Sequence, residues 1–302
     1  MFISVIICTY NRDKHIGRAL KSLVNQDFDR RDYEIIVVDN NSTDQTADII
    51  HNFKKSHPDF NITIAREEKQ GLSYARNKGL ELAKGKYVSY IDDDGIARED
   101  YIKQIKAYTL KYPDDVAFGG KVLPIYEKGQ APAWMSPYIE RIISVVDLGD
   151  KVKILNKTYP VGCNMFFKKS LFNQIGGFNT ALKLRSDDKY IFLKIRAAGF
   201  RILYLPEVVV WHFIDDFRNS LSYVKKISFL NGQAECVRIK TLSKKRVNNY
   251  FKRLTDYLLK LMAAFILWLY FLLKGQSIKG KALFLSMWHS LKGFLTCFKR
   301  SN

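Results

Sequence analysis

Residues 87 to 95 read Tyr87-Val88-Ser89-Tyr90-Ile91-Asp92-Asp93-Asp94-Gly95, a β-branched and aromatic run that stops at three consecutive carboxylates and a glycine. Strand propensity is high up to Ile91 and then vanishes. The acids therefore fall at the carboxyl end of a strand, where ligands bind in open α/β sheets. Three adjacent like charges repel unless water or a cation neutralises them. Hard oxygen donors of this kind suit Mg²⁺ or Mn²⁺, which bind through one or two carboxylates plus substrate phosphates. An acidic, solvated Asp-Asp-Gly turn is the competing reading.

The pattern on either side of this strand is a strand-helix alternation. Ile3 to Cys8 and Tyr33 to Val38 are buried-strand runs, and His15 to Asn25 places Ile16, Ala19, Leu20 and Leu23 on one helical face. A helix follows through about Lys55, then a strand over 61–65, then a helix over 73–83. Alternation of this kind predicts an α/β fold with a mostly parallel central sheet flanked by helices. Beyond 113 the rhythm loosens. Strands are expected over 116–122 and 161–168, a loop-rich stretch over 126–150, a helix over 188–198, and two short strands over 201–205 and 208–211.

Thr9-Tyr10-Asn11-Arg12 ends the first strand and Asp39-Asn40-Asn41-Ser42-Thr43-Asp44 ends the second. Both would face a nucleotide lying across the sheet crevice, with Asp39 able to accept from a base N–H or a ribose hydroxyl. A plain helix cap explains the second segment equally well. Arg76, early in the next helix, faces either solvent or a base and its phosphates.

Together these segments resemble the family 2 glycosyltransferases of GT-A (Rossmann-like) fold, in order and spacing, over about residues 2 to 212. The resemblance implies that Thr9, Asp39 and Arg76 bind the nucleotide, that Asp92 lies by the ribose with Asp93 beside it, and that Asp94 holds the metal. It extends to Gly162-Cys163-Asn164-Met165, on the sugar and acceptor side of the cleft, and to Ser186-Asp187-Asp188. Asp188 takes the place of the catalytic base, while Asp187 stands where glutamate is usual, so either could face the cleft. As a helix N-cap the pair would explain one aspartate only. His212, after an apolar strand, is either a packed residue or a further metal ligand. Trp134 either stacks on a sugar or plugs the core.

Net charge is +19, and residues 238–302 supply +13 of it, with Asp256 their only acid. Within them Tyr257 to Leu273 carries one charge, Lys260, and Ala282 to Phe298 is a second apolar stretch. Basic clusters precede, separate and follow the two: Lys244, Lys245, Arg246, Lys252 and Arg253, then Lys274, Lys279 and Lys281, then Lys299 and Arg300. A spanning hairpin would leave the middle cluster outside, against the positive-inside bias. Two interfacial helices on a cytoplasmic leaflet are preferred to that hairpin or to a soluble helical subdomain. The expected division is a glycosyltransferase domain over 1–235, with a nucleotide half 1–112 and a catalytic half 113–235, and a membrane-associating region over 236–302.

The expected activity is inverting transfer from a nucleotide-diphosphate sugar, UDP in the first instance, to a saccharide or lipid-linked acceptor of bacterial surface-polysaccharide synthesis, with a divalent metal. The Gln-x-x-Arg-Trp signature of processive synthases is missing after His212, where Gln233 is followed by Ala-Glu-Cys-Val. A nucleotidyltransferase would need a glycine-rich loop after the first strand, and the chain has none there. A nucleic-acid partner is not expected, because the tail's basic residues interleave with apolar runs and not with a solvated groove. The four cysteines show no paired spacing, which with the apolar, uncharged amino terminus suggests a reducing compartment.

Overall fold

The computed structural model describes residues 1–182, 185–242 and 246–298. Lys244, Lys245, Lys299 and Arg300 lie outside the described residues. By compactness the chain divides into two units. One holds Met1–Pro124, Val145–Lys183 and Asp187–Phe213; the other holds Ile125–Ser144, Leu184–Ser186 and Ile214–Asn302.

The first unit is built on a nine-stranded sheet. Its strands are β1 (Ile3–Thr9), β2 (Tyr33–Asp39), β3 (Ile62–Arg66), β4 (Tyr87–Asp92), β5 (Gly95–Ala97), β6 (Ala117–Tyr126), β7 (Lys153–Ile154), β8 (Met165–Lys168) and β9 (Leu203–Ile214). They run in the order β3-β2-β1-β4-β8-β6-β9-β5, with β7 also on β9. The sheet is mixed. β3, β2, β1 and β4 pair in parallel, whereas β8 pairs antiparallel with β4 and β6, and β5 and β7 antiparallel with β9.

Both faces of the parallel part are covered, which is why its strands read as unbroken apolar runs. Ile3, Val5, Ile7, Ile35 and Val37 pack into the core on the side of α1 (Ile16–Val24), α2 (Thr46–Ser56) and α4 (Tyr101–Lys111). Ile6, Ile36 and Val38 pack on the side of α3 (Leu72–Leu82), α5 (Leu171–Ile175) and α6 (Asp187–Ala197). Register is explicit: Thr9 stands beside Asp39 and Cys8 beside Asp92, so the acidic and polar strand ends share one edge.

Two local expectations change. Residues 161–164 form a turn, closed by the Asn164 N–H donating to the Val161 carbonyl at 3.2 Å, so β8 begins only at Met165. The two strands expected over 201–211 are one, running through Pro206. Proline supplies no ladder donor, and Pro206 falls between the stretch of β9 paired with β7 and that paired with β5, where that edge asks for none.

The second unit contains α7 (Leu221–Leu242), α8 (Arg246–Leu273) and α9 (Ser277–Leu295), together with a short 3₁₀ turn at Glu140–Ile143 from the loop-rich stretch. α7 runs through residue 235, where the sequence placed a boundary. The helices meet through small residues. A Cβ at Gly232 would fall 2.1 Å from the Ser290 carbonyl oxygen and one at Gly293 2.0 Å from that of Phe229, while Ser228 donates to Ser286 at 3.0 Å. Cys236 and Cys297 form a disulfide, with Cα atoms 5.7 Å apart. This corrects the reading of four unpaired cysteines and removes the argument from them to a reducing compartment. The returning helices bring the pair together, and no sequence spacing signals it.

Candidate active site

The site is built where β1, β2 and β4 end and where β9 passes. β4 ends at Asp92 and the chain turns through Asp93 and Asp94, which brings the Asp94 carboxylate close to that of Asp92. Gly95 then lets the chain fold back onto β9, where it lies opposite His212. A Cβ on Gly95 would fall 2.8 Å from the Ile91 side chain, so a larger residue would displace the strand that presents the acids.

Asp92, Asp94 and His212 offer ligand atoms that all lie within 4.8 Å of one another. His212 Nε2 is 2.9 Å from Asp94 Oδ1, and both side chains are almost wholly buried. Two carboxylates and an imidazole are a donor set that suits Mn²⁺ or Mg²⁺, so the residues present fit a divalent cation. Arg12 reaches two of the three acids, with its Nε 3.4 Å from Asp93 and its Nη2 3.9 Å from Asp94. Burial and the neighbouring Asp94 charge push Asp93 up to about 7, against the opposing pull of Arg12 and the Thr9 hydroxyl. Arg12 stands in the quoted Thr-Tyr-Asn-Arg segment but was not among the expected site residues. Its signal was its place one turn beyond a strand end that faces three acids.

Arg76 is the centre of a second constellation. Its guanidinium is 3% exposed, donates to Asp187 in a close ion pair, and reaches Asp92 Oδ1 and the Gly162 carbonyl at 3.3 Å each. Burial works against its charge, but Asp187 and Asp92 outweigh that and hold the pKa above the ordinary arginine value. A Cβ at Gly162 would sit 2.4 Å from Arg76 Nη2, which explains the glycine in the 161–164 turn. Asp187 is thus committed to Arg76. Asp188, next in the first turn of α6, is partly exposed and accepts the Lys189 N–H at 2.6 Å. The two aspartates thus differ in their contacts, Asp187 being the internal partner of the arginine.

The remaining expected residues divide. Asp39 is buried and its Oδ1 accepts the Ser42 N–H at 3.0 Å. Asn11 and Asn41 adopt positive φ of 53° and 65°, a conformation that asparagine tolerates better than most residues. The Asn11 side chain accepts from the Thr43 N–H at 2.8 Å, tying the first loop to the second. Tyr10 is about half exposed.

Asn164 does not line a cleft. It is fully buried, its amide donates to the Lys121 and Val208 carbonyls at 2.9 Å each, and its carbonyl accepts from Tyr101 at 3.2 Å. The amide joins β6 to β9 inside the sheet and has no donor left for a sugar. Trp134 belongs to the second unit, where its indole N–H donates to the Asn219 carbonyl at 2.8 Å. That contact favours the packed reading over the stacking one. Cys8 and Cys163 lie near Arg76 and Asp92, and burial raises both thiols above their usual range, so neither is a thiolate at neutral pH.

The family model described as Glycosyl transferase family 2 matches residues 4–176. A glucosyl-dolichyl phosphate glucuronosyltransferase of Haloferax volcanii is 27% identical over 254 residues, covering 78% of this chain and 77% of its own. A GalNAc(5)-diNAcBac-PP-undecaprenol β-1,3-glucosyltransferase of Campylobacter jejuni is 40% identical over 92 residues, 30% of this chain and 29% of its own. Among solved structures, a mannosyltransferase of Pyrobaculum calidifontis in complex with GDP-Man and Mn²⁺ superposes with a TM-score of 0.63 at 21% identity, covering 96% of this chain and 86% of that one.

Proposed function

Because the chain belongs to glycosyl transferase family 2, we propose that it transfers a sugar from a UDP-sugar to a hydroxyl of a lipid-linked saccharide, with inversion, at the cytoplasmic leaflet of a membrane. The observation that carries the catalytic part is the convergence of Asp92, Asp94 and His212 at the strand ends, beside an Arg76–Asp187 pair that anchors the first turn of α6.

The nucleotide lies across the ends of β1 and β2. Asp39 spends one oxygen on Ser42, which leaves the other to accept the N–H of a uracil. Thr9, Tyr10 and Asn11 complete that wall. Asp92, Asp94 and His212 would hold a divalent cation, which when bound would neutralise charge on the leaving diphosphate. Asp188 is the general base. It takes the proton of the acceptor hydroxyl as that oxygen bonds to the anomeric carbon, while the bond to the diphosphate oxygen breaks and the nucleoside diphosphate departs with the electron pair. Arg76 fixes Asp187 and so sets the direction of the adjoining Asp188. With both nearby cysteines protonated, the direct displacement has no competing thiolate nucleophile.

Asp188→Asn is expected to bind donor with unchanged affinity and to lose about 10²–10⁴-fold in turnover. Calorimetric titration with UDP-sugars in Mn²⁺, set beside a product assay, measures both. A variant that loses donor affinity as steeply as turnover would remove Asp188 from the role of base.

The membrane part rests on the inverted distribution of side chains in the second unit. α8 is about 42 Å long at 1.5 Å per residue, and Val247–Leu273 within it is long and apolar enough to cross a membrane, its most apolar 18 residues having mean hydropathy 1.7. Its Leu258, Leu259, Met262, Phe265, Ile266 and Leu269 are about half exposed or more, while Gly232, Ser286, Ser290 and Gly293 pack the interior. Small residues inside and large apolar ones outside is the packing of helices against lipid. The basic residues favour an anionic leaflet and oppose self-association through this face. Relatives named for dolichyl- and undecaprenol-linked substrates support a lipid-linked acceptor.

The doubly substituted Met262→Asp/Phe265→Asp chain is expected to lose at least about tenfold in binding to vesicles rich in phosphatidylglycerol. Binding of the unaltered chain should weaken as salt rises. Equal flotation of both chains would place the apolar face elsewhere.

A further inference from the structure

The face of β9 opposite to His212 carries a feature that catalysis leaves unused. Trp211 precedes His212, and alternation along the strand turns the indole away from the carboxylates. It lines a cleft of about 660 Å³ between α1, β5 and the segment after β5. That volume falls in the roughly 300–1,000 Å³ range of small-molecule sites.

The cleft has a firm apolar floor. Ile96 stands directly across the ladder from Trp211 and continues its surface. Ser22 fastens the wall of α1 to β5, since its hydroxyl accepts the Ala97 N–H at 3.1 Å and donates to the Ala19 carbonyl at 2.7 Å. Arg18 is fixed as well, 4.1 Å above the Phe213 ring and 3.1 Å from His15 Nδ1. Above the floor, Lys21, Asn25 and Glu99 are exposed, and none has a side-chain polar partner among the described residues.

An apolar floor containing an indole calls for a ligand with one apolar face. A rim with a cation, an amide and an acid calls for hydroxyls that both donate and accept, and its free groups nearly cancel in charge, so they select neither an anion nor a cation. A pyranose ring meets all three conditions through its C–H face and its equatorial hydroxyls. We propose that this cleft is a saccharide-binding subsite, separate from the nucleotide site and on the other side of β9 from it. Because the walls are tied before ligand arrives, ordering costs little. The inference uses the chemistry of the cleft alone and stands whether or not UDP is the donor.

The test is calorimetric titration of the full chain in detergent with cellobiose and with N,N′-diacetylchitobiose, in EDTA so that no divalent cation is bound. Saturable binding of at least one disaccharide is expected, with a Kd of about 1 mM or tighter. Trp211→Ala should weaken it at least about tenfold, and Asn25→Ala, an exposed change that leaves the fold alone, at least about threefold. Asp94→Asn should leave it unchanged. Absence of saturable binding to both sugars overturns the proposal. So does binding that Asn25→Ala leaves intact and Asp94→Asn abolishes, which would put the sugar in the catalytic cleft. A chain that binds the disaccharide but no nucleotide sugar would retain this subsite and sink the donor assignment.

Discussion

Asp94→Asn is expected to lower sugar transfer by about 10³-fold and to abolish measurable Mn²⁺ binding in the absence of donor, with the fold intact. Asp94 is the residue on which the site's contacts converge: it pairs with His212 at 2.9 Å, lies 3.9 Å from Arg12, and shares the 4.8 Å cluster with Asp92. Asparagine keeps the shape and one acceptor but removes the charge that holds a hard cation. The loss of leaving-group stabilisation then appears in turnover, since that interaction strengthens only as the bond breaks. Paramagnetic titration of free Mn²⁺ together with a product assay checks both halves. Unchanged Mn²⁺ affinity would move the cation away from this cluster.

Arg76→Ala should destabilise the first unit by about 3–5 kcal/mol, as the breaking of a buried ion pair does. Removing one partner of a buried ion pair leaves the other as an uncompensated charge. Here the abandoned group is Asp187, whose side chain is 4% exposed, while Asp92, about a third exposed, can turn to water. Arg76→Lys restores charge but not the planar fork that reaches Asp187, Asp92 and the Gly162 carbonyl together, so it should recover only part of the loss. The double change Arg76→Met/Asp187→Leu should be far milder than Arg76→Ala. Urea unfolding followed by circular dichroism measures all three. A loss below about 1 kcal/mol for Arg76→Ala would mean that water reaches the pair.

Much of this architecture is legible in the chain. The runs at 3–8, 33–38 and 87–91 announce doubly covered strands because both faces need apolar side chains, and the abrupt change to aspartate and asparagine marks where they end. The run Asp92-Asp93-Asp94 at the end of the last of these already marks a carboxylate cluster there. What escaped has a common cause in long-range packing. Pro206 looks like a break only until the gap between two partner strands is known. Asn164 looks like a ligand residue until Tyr101, Lys121 and Val208 surround it. Cys236 and Cys297 carry no mutual signal until α7 and α9 meet. Residues 125–144 gave no sign that they belong with the carboxyl-terminal helices and not with the strands flanking them.

The order of synthesis gives the position of His212 a further meaning. The two carboxylates of the triad emerge early, yet their imidazole partner lies in the last strand of the sheet to leave the ribosome. Pairings that join distant parts of a chain form late, because loop closure must precede the contacts that reward it. A nascent chain that has β1, β2 and β4 but not β9 therefore lacks one of the three residues proposed to hold the cation. On the proposed reading, the ability to hold an activated donor comes only when β9 joins the sheet, with the carboxyl-terminal helices still to be made.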